Sequence, residues 1–238
     1  MSSLLHLVKG EIIRLFKYKI VFFGILVSLI WLLVIGFQTP EQALAIIPLM
    51  IVTDSGLMAI ILIGASFYFE KQENTVKSLL VSPVSLVQVM IAKIFSAIFT
   101  AFISLVIVVG FAVIYHEIDV QILKLLLFMF SIVISHTAIG YILILKSKDF
   151  MSMLVKYAGL MLLFYTPTLL LALEIVSNDF EILAFISPSY SGEFLIKSAF
   201  VQLGTFKQVI AFVYLMGLGL GIYGGYVYTK FKKVAIEG

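Results

Sequence analysis

The amino-acid sequence predicts an all-α membrane protein with six transmembrane helices, because of its composition and the length of its apolar runs. Of its 238 residues, 62% are hydrophobic and 12% are charged, whereas soluble domains have about 45–50% apolar and about 25% charged residues. A bilayer core about 30 Å thick needs about 20 mostly apolar residues per helix. The runs do not alternate between apolar and polar residues as barrel strands do, so we predict helices.

Six apolar runs are long enough to span a bilayer. They cover residues 20–37, 46–69, 86–115, 122–145, 151–173 and 208–229. The third run is the longest, and we expect it to tilt or to carry an extra turn outside the lipid. Because these runs occupy most of the sequence, we predict a single transmembrane domain that covers residues 1–238.

Basic residues are distributed unevenly between the two ends of the predicted spans, and this bias predicts orientation. Thirteen of the sixteen lysines and arginines lie at the end that carries both termini and the connection between the second and third spans. The other end has only Lys124, Lys197 and Lys207. We therefore predict a multi-pass protein with both termini in the cytoplasm, and the net charge of +3 needs no nucleic-acid partner.

Residues 3–19 are predicted to form an amphipathic helix in the cytoplasmic interface. Apolar residues recur there at helical spacing, and the polar side consists of His6, Lys9, Glu11, Arg14 and Lys17. Helices of this kind bury the apolar face and keep the basic face at the headgroups. We expect this helix to anchor the chain, with its polar side at the headgroups.

The longest segment between spans, residues 174–207, separates the fifth span from the sixth. Its apolar pieces are too short to cross a bilayer, and Pro188 and Gly192 are expected to break them. We predict external re-entrant or interfacial helices that include Pro188, Tyr190 and Gly192. An ordinary surface loop is the alternative, but it fits the apolar content less well.

A short polar segment, EKQENTVKSLLVSPVS at residues 70–85, separates the second span from the third. Asn74 is a suitable N-cap, and Pro83 disfavours helix at the residue before it. About seven helical residues remain, on the order of 10 Å in length. Val76, Leu79 and Leu80 gather on one side, which suits a groove on a partner protein. A plain tight connection is the alternative.

The sequence lacks the residue patterns of common enzymes and metal sites. It has no cysteine, and its three histidines, His6, His116 and His136, do not have the spacing of metal ligands. It also has no nucleophilic-serine elbow and no phosphate-binding loop. We therefore expect no catalytic residue and no bound cofactor, and any use of ATP requires another chain.

Asp54, in the sequence IVTDSGLM, is the one acidic residue inside an apolar run. Its burial costs at least about 2.5 kcal/mol on insertion scales, so we expect it to face a partner or a water-filled cavity. Two interpretations are open. Asp54 is either a pathway or gating residue, or it makes a structural hydrogen bond with Thr53, Ser55 or a neighbouring helix.

Three glycines, Gly217, Gly221 and Gly225, recur every four residues in the last apolar run. This spacing allows two membrane helices to approach closely, so we predict that these glycines mediate helix packing. The sequence around them, GLGLGIYGG, is not a nucleotide-binding fingerprint, because such a fingerprint lies between a strand and a helix.

The polar segment at residues 70–85 matches a signature that follows the second span in one family of membrane proteins. The signature reads approximately Arg/Lys-Glu-x-x-Gly-Thr-hydrophobic-Glu-x-Leu-Leu-x-Ser/Thr-Pro-Val-Ser, followed by Gly/Ala-Lys. The matching residues are Glu70, Glu73, Thr75, Leu79, Leu80, Ser82, Pro83, Val84, Ser85, Ala92 and Lys93. Asn74 replaces the usual glycine and Lys77 the usual glutamate. With its six spans and the sequence SPSYSG at residues 187–192, the chain resembles the permease subunit of type-2 ABC exporters.

The resemblance implies a role for each segment outside the spans. The N-terminal helix would be an interfacial elbow, the polar segment a coupling helix docked on an ABC ATPase, and the external helices a cap over the pathway. The residues implied in coupling to the ATPase are Glu70, Glu73, Thr75, Val76, Leu79, Leu80 and Pro83.

The resemblance also implies an assembly of two permeases, identical or homologous, and two ATPase subunits that bind ATP and magnesium. We expect such a transporter in the plasma membrane of a bacterium, where it would export a hydrophobic or amphipathic drug, peptide or lipid. The alternative is an ion- or proton-coupled secondary carrier with Asp54 as its switch.

Overall fold

The computed structural model describes residues 2–73, 75 and 84–231, and all regular structure in these residues is helical. The helices are α1 (Ser2–Lys17), α2 (Ile20–Gly36), α3 (Pro40–Val52), α4 (Met58–Gln72), α5 (Leu86–His116), α6 (Ile122–Leu145), α7 (Phe150–Ala172), α8 (Glu181–Ala184), α9 (Pro188–Lys197) and α10 (Thr205–Ile222). A π-helical turn, Thr53–Leu57, joins α3 to α4, and a second, Tyr223–Val227, continues α10. A 3₁₀ turn, Asn178–Phe180, precedes α8.

Five of the helices described are long and apolar enough to cross a membrane. They are Pro40–Gln72, α5, α6, α7 and Thr205–Phe231. Helices α1 and α2, bent by 64°, form a sixth candidate when they are taken as one span. The described residues are thus all-helical and consistent with a multi-pass membrane protein, as the hydrophobic runs predicted.

The second span begins earlier than predicted, at Pro40 rather than at residue 46. The Thr39 side chain accepts a hydrogen bond from the Gln42 backbone, and the Gln42 side chain accepts one from the Thr39 backbone. This capping box, with proline at the first helical position, is a strong helix start. The polar capping residues therefore extend the helix beyond the apolar run.

Helices α1 and α2 meet at a sharp turn through Tyr18 and Lys19. Lys19 has left-handed backbone angles, with φ 57° and ψ 19°. Both helices pack against α5, and Leu15 and Ile20 are buried on either side of the turn. The turn therefore holds α1 against the bundle at the end where α4 finishes and α5 begins.

Helix α6 lies at the centre of the bundle and packs against α4, α5, α7, α9 and α10. A glycine allows close approach at two of these contacts. A Cβ on Gly140 would lie 2.7 Å from Ile63 Cγ2, and a Cβ on Gly219 would lie 3.0 Å from the Ser135 backbone nitrogen. Helix α7 and the last span lie at the periphery, with only 11% and 17% of their apolar windows buried.

The segment between the last two spans folds into α8 and α9, and α9 packs against α3, α6, α7 and α10. Pro188 is the first residue of α9, where the Ser187 side chain accepts a hydrogen bond from the Tyr190 backbone. Gly192 does not break the helix, contrary to our prediction. It lies inside α9, where a Cβ would be 3.1 Å from Ile132 Cγ1, so its small size serves packing on α6.

Candidate functional site

Four charged side chains form a buried cluster where α1, the end of α4 and the start of α5 meet. Lys93 Nζ donates to Glu70 Oε1 at 2.6 Å and to Glu11 Oε2 at 3.2 Å. Arg14 Nη1 donates to Glu70 Oε1 at 2.7 Å and to Glu11 Oε1 at 2.8 Å. Ser66 completes the cluster, since its hydroxyl donates to Glu70 and accepts from Lys93, both at 3.2 Å. We call these five residues the charge cluster.

The charge cluster is almost entirely removed from solvent. The exposed fractions of the Glu70, Lys93 and Glu11 side chains are 1%, 2% and 4%, while Arg14 retains 25%. A buried charge without a partner is costly, but here two carboxylates face two cations, so the formal charges cancel. The cluster therefore joins three helices at one point by contacts that are costly to break singly.

A second, exposed group of polar contacts borders the charge cluster. Glu73 accepts hydrogen bonds from Lys17 Nζ and from the Tyr18 hydroxyl, both at 2.8 Å. These bonds from Lys17 and then Tyr18 hold the pKa of the Glu73 carboxyl below its usual value. Burial, followed by the hydrogen bond to Glu73, raises the pKa of Tyr18 to about 12. The turn between α1 and α2 is thus tied to the residue that follows α4.

Of the residues predicted to couple to an ATPase, Glu70, Glu73 and Thr75 are among those described. Glu70 is buried as part of the charge cluster, whereas Glu73 is exposed. The Thr75 hydroxyl donates to the Glu70 carbonyl oxygen at 3.0 Å. The other four predicted coupling residues lie outside the described residues: Val76, Leu79, Leu80 and Pro83.

Two residues of the charge cluster turn inward, which helical spacing did not predict. Glu11 and Arg14 were expected on the polar, headgroup side of the N-terminal helix, but Glu11 is buried against Lys93, and Arg14 reaches Glu70. A lysine at position 93 inside an apolar run was the available signal, because a charge in a span requires a partner. Helical periodicity alone does not identify that partner.

Asp54 lies in the π-helical turn and accepts hydrogen bonds from two neighbouring helices. Trp31 Nε1 of α2 donates to Asp54 Oδ1 at 2.9 Å, and the Ser104 hydroxyl of α5 donates to Asp54 Oδ2. Ser28 in turn donates to Ser104 at 2.9 Å. Thr53 and Ser55 bond instead to the backbone of α3. This geometry matches the neighbouring-helix hydrogen bond that was one interpretation of Asp54.

An apolar cleft of about 530 Å³ opens beside Asp54 between α2, α3 and α7. The lining residues are Trp31, Val34, Ile46, Leu49, Met50, Thr53, Met161, Leu162, Tyr165, Thr166, Thr168 and Leu169. The hydroxyls of Thr53 and Tyr165 hydrogen-bond to each other, so they join α7 to the π-helical turn. A volume of this size is in the range of pockets for drug-sized molecules, about 300–1,000 Å³.

A second acidic residue, Glu193 of α9, contacts the lining of this cleft. Its carboxylate accepts a hydrogen bond from the Thr168 hydroxyl at 3.0 Å. Burial is the largest influence on Glu193 and raises the pKa of its carboxyl, while Thr168 and the nearby Lys197 act in the opposite direction. Lys197 itself is exposed, so the acid faces the bundle and the base faces outward.

Two further sequence predictions can be compared with the described residues. His136 bonds to the Ile132 carbonyl oxygen at 2.9 Å and to Ser135 at 3.1 Å, and the part of the chain that is described contains no cluster of metal-ligand type. A Cβ added at Gly217, Gly221 or Gly225 would contact no other described helix, since apart from the adjoining turns of its own helix no described atom would lie within 4 Å. The close approach between the last span and α6 occurs instead at Gly219, which contacts Ile134 and Ser135.

The sequence matches no protein-family model and no curated protein.

Proposed function

We propose that this chain is the membrane-spanning subunit of an ATP-driven ABC exporter, and that separate ATPase subunits bind and hydrolyse ATP. It moves a hydrophobic or amphipathic compound outward, in a transporter that contains a second permease, identical or homologous. Residues 70–85 form its coupling segment, and both termini lie in the cytoplasm of a bacterial cell.

The charge cluster is the observation that carries this proposal. Glu70 is the first residue of the coupling segment and Lys93 follows the segment in α5, and their contact at 2.6 Å joins α4 to α5. Glu11 and Arg14 add α1 to the same unit. A force applied to the segment would therefore act on three helices together and would not be absorbed by bending at either end.

The cleft between α2, α3 and α7 supports the transport part of the proposal. It is large enough for a drug-sized molecule, and its walls are mainly apolar. Its π-helical side wall continues into α4, which ends in the charge cluster. Movement at the coupling segment thus has a direct covalent route, along one helix, to the lining of the cleft.

The proposal predicts that an ABC ATPase is encoded beside this gene, and it is tested by co-expressing the two chains and purifying the complex from membranes. Leu79→Asp and Leu80→Asp place a charge on the predicted docking face, so we expect loss of the co-purified ATPase and of ATP-dependent export. Ile175→Asp is the matched control, because Ile175 is exposed on the connection after α7, at the other end of the spans.

Normal ATPase recovery and normal export with both leucine variants would refute the assignment of the coupling segment. The same preparation separates this function from an ion-coupled carrier that uses Asp54. If the chain is an ion-coupled carrier, reconstituted vesicles without the ATPase would transport the substrate when an ion gradient is imposed, and adding ATP would not change the transport rate.

A further inference from the structure

We propose that the cleft between α2, α3 and α7 binds cationic amphiphiles, molecules with an apolar body and a positive charge. This inference deepens the proposed function, since it names the substrate class of the cleft and rests on the cleft being part of the transport path.

The walls of the cleft provide the apolar half of this specificity. Seven of its lining side chains are aliphatic or thioether groups, and Trp31 and Tyr165 add two aromatic rings. Burial of apolar surface contributes about 25 cal/mol per Å², so an apolar body of matching size is held well. Aromatic faces additionally attract cations through the ring quadrupole. None of the lining residues is lysine or arginine.

Two carboxylates lie directly behind the lining and provide the negative charge. Asp54 accepts a hydrogen bond from the indole nitrogen of Trp31, and Glu193 accepts one from the hydroxyl of Thr168. Trp31 and Thr168 both line the cleft. The cleft is therefore flanked by negative charge.

Asp54 is the less compensated of the two acids. Its hydrogen-bond donors, Trp31 and Ser104, are neutral, whereas Glu193 has Lys197 within electrostatic range. A hydrogen bond to a carboxylate also polarises the donor group, which makes the Trp31 ring more negative toward the cleft. A cation over Trp31 would then interact with both the ring and Asp54.

The binding test uses the purified full chain in detergent, because Trp31 is the only tryptophan and its fluorescence reports occupancy of the cleft. The probes are tetraphenylphosphonium and tetraphenylborate, which have similar size and apolar surface but opposite charge. We expect saturable quenching by the cation, with a dissociation constant at least about tenfold lower than that of the anion.

Asp54→Asn keeps the hydrogen-bonding shape and removes the charge, so we expect the affinity for the cation to fall about tenfold. Glu193→Gln should weaken it less, because Lys197 already offsets that acid. Asp119→Asn is the matched control at an exposed acid outside the lining, and its affinity should equal that of the wild type. If Asp54→Asn does not fold, the inference is tested by comparing the dissociation constants of the two probes for the wild type and for Glu193→Gln.

Equal affinity for the two probes would overturn the inference, and so would an Asp54→Asn variant that folds and binds the cation normally. Neither measurement requires an ATPase. If the cation does not bind preferentially, but the ATPase still fails to co-purify with the Leu79→Asp and Leu80→Asp variants, only the substrate class is rejected. If the cation binds preferentially but no ATPase co-purifies with the wild-type chain, the cleft is a cation-binding site and the proposal of an ABC exporter is rejected.

Discussion

Lys93 Nζ lies 2.6 Å from Glu70 Oε1, and each side chain is no more than 2% exposed. Glu70 is the first residue of the predicted coupling segment and lies near the end of α4, whereas Lys93 lies beyond the segment, in the third turn of α5. Each of the two charges also has a second partner, Arg14 for Glu70 and Glu11 for Lys93, so this contact is part of a neutral cluster that joins α4 to α5. It connects the helix before the segment to the helix after it.

Loss of one charge from this pair should destabilise the protein more than loss of both. Lys93→Met leaves Glu11 and Glu70 facing Arg14 alone, and breaking a buried pair in this way costs about 3–5 kcal/mol. Glu70→Gln combined with Lys93→Met restores neutrality, so we expect a large part of the stability to return. Thermal unfolding in detergent of the wild type, Glu70→Gln, Lys93→Met and the double variant measures the coupling energy between the two charges. Strictly additive effects on stability would show that the two charges do not interact.

Alanine should be tolerated differently at two neighbouring glycines of the last span. At Gly219 a Cβ would lie 2.8 Å from Ile134 Cγ2 and 3.0 Å from the Ser135 backbone nitrogen, so we expect overpacking to cost about 1–3 kcal/mol. At Gly221 a Cβ meets open space in the part of the chain described, and alanine should be neutral or stabilising by up to about 1 kcal/mol. Thermal stability of the two variants as monomers in detergent checks this, and the opposite order would contradict the placement of α6.

The exposed contact of Glu73 with Lys17 and Tyr18 should depend on pH at both extremes. The pKa of Glu73 is lowered, so its contribution to stability is present above its usual value of 4.5 and is lost as pH falls through the lower folded value. The pKa of Tyr18 is raised to about 12, so its contribution is present below its usual value of 10.0 and is lost as pH rises through about 12.

Glu73→Gln should lower the pKa of Tyr18 part of the way back, since the hydrogen bond to the carboxylate is removed while burial remains. The difference in ultraviolet absorbance between each protein and its Tyr18→Phe derivative gives this pKa. Glu117→Gln, on the connection between α5 and α6, should leave it unchanged. A Tyr18 pKa that is the same with and without Glu73 would mean that the two residues do not meet.

The N-terminal helix should be held against the start of α5 in the native membrane. Gln88 Nε2 donates to the Ser3 hydroxyl at 3.3 Å, and the sequence contains no cysteine, so every thiol crosslink is an introduced one. We expect a short bifunctional thiol reagent to link Ser3→Cys with Gln88→Cys in intact membranes. Ser3→Cys with Glu117→Cys is the control, since the 31 residues of α5 separate them by roughly 45 Å. Equal yields from the two pairs would place α1 elsewhere.

The spans could be predicted closely from sequence because each depends on a local run of apolar residues. All six predicted runs correspond to helices, and residues 122–145 match α6 at both ends. The differences occur where polar residues set the helix end, as with the capping box at Thr39. Composition and periodicity are properties of residues close together in the sequence, so they are sufficient to predict where the apolar helices lie.

What the sequence by itself determined is an all-helical chain with six apolar runs, an amphipathic N-terminus and a polar segment at residues 70–85. Only the tertiary structure decided that Glu11 and Arg14 turn inward to Glu70 and Lys93, that Trp31 and Ser104 hold Asp54, and that Gly219 makes the close contact. The partners of a buried charge lie on other helices, up to 82 residues away in the case of Glu11 and Lys93. Their pairing depends on how the helices pack, and helical periodicity within one segment contains no information about that packing.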